Sequence, residues 1–184
     1  MREELDLDYF TNQHMGCKEV VFHATSYFNV DGIWKNGIQQ CNVDSPMKAK
    51  ILREMGVPSC HSYGSLTLKE AIEDWHTDRA PSAIAVICID PKDAFVSEDL
   101  ESPKHSLHTW DEQNHEHYKE RLIPLQEYNR KQLHYELPEI ILPVIPKENV
   151  IGFLDVRFNV VKSLTEQDMQ DYYELKGWDK VAVG

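Results

Sequence analysis

His23, Ala24 and Thr25 follow the apolar, β-branched segment KEVVF at 18–22, so an imidazole and a hydroxyl stand where a strand should give way to a turn. Facing a cleft, the pair can bond the hydroxyls of a ribose, while the small Ala24 lets backbone approach the ligand. The competing structural role is a histidine bonded to a backbone carbonyl and a threonine that caps a helix. Farther along, Tyr63 and Ser65 precede a helical segment, and Glu139 opens the aliphatic run EIILPVI. Four histidines, His105, His108, His115 and His117, lie near Asp111, Glu112 and Glu116 with spacings a metal could use, but the polar surroundings fit an exposed loop, and no metal is expected.

The elements that must position these residues can be read from periodicity. After the strand at 18–22 and a turn at 23–26, Tyr27, Val30, Ile33 and Trp34 recur at helical spacing, with Thr25 or Ser26 as cap and Gly37 as the terminating residue. A second helix is predicted over 44–56, opened by Asp44 or Ser45 and Pro46 and closed by Gly56 and Pro58. Residues 57–66 form a loop or short strand, and Thr67 with Glu70 has capping-box spacing ahead of a helix over about 68–78. SAIAVICID after Pro81 reads as a strand buried on both faces, in the middle of a sheet. Two more strands follow at 139–145 and 151–158, separated by a turn at 146–149, and Thr165 opens a last helix carrying Met169, Tyr172 and Tyr173. The mixture of strands and helices lacks a regular βαβ rhythm and favours an α+β fold. All 184 residues are expected to form one domain, with 98–135 as an insertion and 160–184 as a C-terminal tail or helix.

Nineteen Lys and Arg oppose 31 Asp and Glu, and a formal charge of -12 would repel a phosphate backbone, which disfavours a nucleic-acid partner. Cysteines at 17, 41, 60 and 88 lack CxxC spacing and the density of a stapled domain, pointing to a reducing compartment. The N-terminus has no cationic start or apolar stretch of a signal peptide, and no apolar run approaches the roughly 20 residues that span a bilayer. The expected location is the cytoplasm, or a host cytoplasm reached by an unspecified delivery route, with no membrane association.

The segment VVFHATSYFNVDGIWKNGI resembles the opening of the diphtheria-toxin-like ADP-ribosyltransferases of the H-Y-E type, and is closest to their DNA-modifying DarT-type branch. In that family a strand ends in histidine, a small residue and threonine, and the next helix closes on a Gly-Ile pair, here Gly37 and Ile38. Ser65-Leu-Thr followed by KEAIEDW is similar to the family's strand-to-helix element beside nicotinamide, and EIILP at 139–143 to its last catalytic strand. The blocks occur in the family's order over about half the chain. The resemblance implies a single domain with a central split antiparallel β-sheet flanked by helices. It also implies NAD as a substrate, held by His23, Ala24, Thr25 and either Tyr63 or Ser65, and Glu139 as the catalytic residue. A tyrosine ring would stack on nicotinamide, whereas a serine would offer only a hydrogen bond.

Breaking the bond from nicotinamide to ribose builds positive charge on the sugar, so a fixed carboxylate at 139 would stabilise the transition state more than the ground state, without a metal. His23 would hold the other ribose, and Lys48, Lys50 or Arg53 could assist backbone N–H groups at the pyrophosphate. On a helix, however, a cluster such as KAKILR is more often a solvated face. Arginine-modifying relatives carry two glutamates two residues apart, whereas Glu136 and Glu139 are three apart with Pro138 between them, so an arginine acceptor is disfavoured. A protein acceptor is favoured over nucleic acid. The alternatives are a non-catalytic NAD-binding or protein-binding module with this fold, an acidic docking surface, and an RNA 2'-phosphotransferase, which would need basic residues that this acidic chain does not display.

Overall fold

The structure, a computed structural model, describes residues 17–39, 46–73, 83–98, 112–128, 135, 138–156 and 162–163. Its elements, in chain order, are β1 (Glu19–Thr25), a 3-10 turn at Tyr27–Asn29, α1 (Val30–Asn36), α2 (Pro46–Glu54), β2 (Ser62–Gly64), α3 (Leu68–Glu73) and β3 (Ala83–Ile89). They continue as β4 (Phe95–Glu98), α4 (Glu112–Arg121), β5 (Ile123–Pro124), β6 (Pro138–Leu142), β7 (Val150–Asp155) and β8 (Lys162–Ser163). The fold is α+β and contains two antiparallel sheets, ordered β1-β3-β7-β8 and β2-β6-β4-β5.

Alternation along the strands divides the interior into three clusters. Val21, Ala85 and Phe153 of the first sheet and Val96, Ile140 and Leu142 of the second share one cluster, so these inward faces form a common core. The other face of the first sheet, with Phe22, Ile84, Val86 and Leu154, packs against Ala71, Leu68 and Ile72 of α3. The other face of the second sheet presents Ile141, Tyr63 and Phe95 to Ile51 and Leu52 of α2 and Tyr118 of α4. β3, buried at nearly every position, lies between β1 and β7, as its unbroken apolar run predicts.

Local chemistry accounts for the helix ends. The Ser26 side chain accepts from the Phe28 N–H, and Thr67 and Glu70 complete a reciprocal capping box at 3.1 and 3.0 Å. Gly37 ends α1 at φ 75, where a Cβ would run into the Ile145 carbonyl and come within 2.8 Å of the Lys147 N. That close approach lets Ile38 and Ile145 exchange backbone bonds of 2.9 Å and ties the loop after α1 to the segment that follows β6.

The structure corrects several expectations. β1 continues through Thr25, placing His23, Ala24 and Thr25 within the strand, where pairing with β3 overrides the anticipated turn. Cys17 and Cys88 form a disulfide across 71 residues, and Cys60 is also disulfide-bonded, so the domain is stapled and the cysteines no longer argue for a reducing compartment. Cys17 lies two residues before β1, and β1 pairs with the strand that carries Cys88, a juxtaposition invisible in sequence spacing. Within the stretch predicted as an insertion, Tyr118, Leu122, Leu125 and Tyr135 are buried in the main clusters, and β5 pairs with β4. His105 and His108, the rest of the helix predicted beyond Glu73, and the predicted helix from Thr165 lie outside the described residues. Among the described residues no helix is long and apolar enough to cross a membrane.

Candidate functional site

β2 belongs to the second sheet through Ser62, Tyr63 and Gly64, which face Leu142, Ile141 and Ile140 of β6. At the next residue the chain leaves β6 and turns to the first sheet: Ser65 and Phe22 exchange backbone hydrogen bonds of 2.8 and 2.9 Å. Gly64 makes the crossing possible, because a Cβ there would lie 2.9 Å from the Phe22 carbonyl oxygen. The two sheets therefore part beside Tyr63, with His23 one residue from the bridge.

His23 is buried, and its Nδ1 lies 2.7 Å from the Tyr63 carbonyl oxygen. A carbonyl only accepts, so Nδ1 carries the proton and donates. Burial lowers the imidazole's pKa below its ordinary value and outweighs the opposing effect of the carbonyl bond, so the neutral ring is favoured. The remaining Nε2 is then an acceptor, suited to a ligand hydroxyl.

On the other side of the parting, Lys48 of α2 reaches Glu139 of β6, with Nζ 3.0 and 3.4 Å from the two carboxylate oxygens. Their side chains are 3% and 10% exposed, so this is a buried ion pair. The ammonium lies 4.4 Å from the centre of the Tyr63 ring and 5.8 Å from that of Tyr118, which adds cation–π attraction to the carboxylate bond. His61 completes the group. Its Nδ1 lies 2.8 Å from the Pro58 carbonyl, and its Nε2 3.3 Å from the Tyr63 hydroxyl, with the two rings edge to face. Bonded to the Pro58 carbonyl at one nitrogen and to the Tyr63 hydroxyl at the other, the His61 ring fixes the Tyr63 ring.

Tyr63 thus joins the two halves: its carbonyl meets His23, while its side chain lies with Lys48 and Glu139. By strand alternation, His23 goes with Val21 towards the inter-sheet core, and Glu139 goes with Ile141 towards α2 and α4. Other predicted contacts are not assembled here. Ala24 packs towards α3, on the opposite face of β1 from His23, and the Thr25 hydroxyl accepts from Asn29 at 3.2 Å. Ser65 takes part through its backbone bridge to Phe22. Among the cations proposed for a pyrophosphate, Lys50 and Arg53 are exposed, whereas Lys48 is committed to Glu139.

Sequence reasoning did not identify His61 as part of this group. Its spacing from Tyr63, two residues in an extended segment, was the available signal, since i and i+2 share a strand face. Ser97 was missed with the whole of β4, whose four residues gave no usable period. No protein-family model and no curated protein matches this sequence.

Proposed function

We propose that this chain is an NAD-dependent mono-ADP-ribosyltransferase that cleaves the bond between nicotinamide and ribose and transfers ADP-ribose to an acceptor, with a protein favoured. The observation that supports this reading is the chain of contacts through Tyr63, whose carbonyl meets His23 and whose ring lies with the Lys48–Glu139 pair, although His23 and Glu139 leave their strands towards different faces; the three residue types occur in the order of the family that the sequence resembles. In this reading neutral His23 accepts a ribose hydroxyl at Nε2, Tyr63 stacks on nicotinamide, and Glu139 faces the ribose whose glycosidic bond breaks.

The chemistry follows from charge. As nicotinamide departs with the bonding electrons, positive charge grows on the ribose, and a carboxylate in a low-dielectric setting stabilises that charge strongly. Nicotinamide leaves as a neutral ring, the acceptor nucleophile bonds the anomeric carbon, and its proton passes to solvent or a nearby base. A second reading, a non-catalytic NAD-binding or protein-binding module, is favoured by one observation: the Lys48 ammonium already neutralises Glu139.

The test is incubation of the purified protein with labelled NAD and a cell lysate, alongside Glu139→Gln. Transfer of label with nicotinamide release, reduced a hundredfold or more by the substitution, supports the transferase reading. NAD binding without nicotinamide release identifies a non-catalytic NAD-binding module, and no NAD binding rejects both NAD readings and leaves the protein-binding module.

A further inference from the structure

Ser97 stands directly opposite Glu139 in the antiparallel β4–β6 pair. Side chains of such partners project on the same face, with Cβ atoms roughly 5 Å apart. Phe95 and Ile141, the neighbouring pair, confirm the direction, since both pack in the cluster beneath α2 and α4. The Ser97 residue is 0% exposed, yet its hydroxyl has no hydrogen-bond partner among the described residues. A buried hydroxyl in this state loses its water bonds without replacement, an unfavourable arrangement that a bound polar group would relieve. Ser62 also has an unpartnered hydroxyl, but its cross-strand partner Leu142 belongs to the inter-sheet core, away from Glu139.

We infer that Ser97 is a substrate-binding residue whose hydroxyl bonds a hydroxyl of the same ribose that Glu139 engages. The inference rests on the NAD reading given above and adds a second contact to its sugar subsite. Adjacent hydroxyls of a ribose diol suit this arrangement: the carboxylate accepts from one, and the serine donates to or accepts from the other. Entry of the sugar requires the Lys48 ammonium, on its flexible stem, to leave the space beside Glu139.

Ser97→Ala tests the assignment, because it removes the oxygen with little change of shape. The melting temperature should hold or rise, since a buried unpaired group is lost, while NAD affinity by calorimetry and kcat/KM for nicotinamide release both fall about five- to tenfold. Affinity and kcat/KM within twofold of the unsubstituted protein overturn the proposal, as does a melting temperature several degrees lower, which would reveal a structural partner for the hydroxyl. Should the unsubstituted protein bind NAD without releasing nicotinamide, the transferase reading falls, and the affinity comparison alone decides Ser97. Absence of NAD binding overturns both.

Discussion

Replacing Lys48 with Met should expose how the protein carries a buried carboxylate. At 3.0 and 3.4 Å, with side chains 3% and 10% exposed, the pair attracts by on the order of 5 kcal/mol at the effective dielectric constant of about 20 that describes protein sites. Desolvation of both groups offsets much of that attraction, so the net value of the intact pair is small. Removing one partner is different, because the other remains charged and buried; such a change costs about 3–5 kcal/mol. For a chain of this size, where each kcal/mol moves the melting point by about 2–4 °C, Lys48→Met should melt roughly 6–20 °C lower. Glu139→Leu alone should also destabilise, by stranding the ammonium, whereas Lys48→Met with Glu139→Leu should return close to the starting stability. Urea unfolding of all four proteins, with the disulfides intact, gives the coupling energy directly. The expected coupling exceeds about 2 kcal/mol and changes little with added salt, since buried pairs are weakly screened. A cost below about 1 kcal/mol for Lys48→Met, or strict additivity in the double variant, would refute the buried-pair argument.

Three further outcomes follow from particular residues. Gly37→Ala should cost more than about 2 kcal/mol in denaturant unfolding, because φ 75 and the Ile145 carbonyl both exclude a Cβ, and an unchanged midpoint would contradict that. Serine at both Cys17 and Cys88 should lower stability by about 4 kcal/mol in the chain-entropy account of a loop spanning 71 residues; a loss under about 1 kcal/mol would show that the crosslink constrains little. His23 has its folded pKa depressed by burial, so the unfolded chain takes up its proton first as pH falls. Its contribution is complete above about pH 6.5, diminishes below that towards the folded value, and should be absent from the pH–stability profile of His23→Gln.

The long strands were legible because burial leaves an unambiguous composition. SAIAVICID has room for few polar groups and became the inner strand β3, while Glu139 opened an aliphatic run that became β6. The capping box at Thr67 and Glu70 and the positive φ at Gly37 were readable for a similar reason, since each is set by atoms within a few residues. His23 was expected in a turn but lies within a strand, because pairing of all seven β1 residues with β3 decides where that strand ends.

Local chemistry is what the sequence alone determined: apolar runs, caps, the α+β class, and which side chains were worth attention. Tertiary structure decided what those side chains meet. Lys48 reads as one cation on a solvated helix face until folding brings a carboxylate 91 residues away to its ammonium. Cys17 meets Cys88 only because β1, which follows it, pairs with β3, and Ser97 becomes notable only because β4 aligns it with Glu139. Such partnerships depend on how distant segments are paired and buried, and neither residue type nor spacing encodes that where the intervening chain is long.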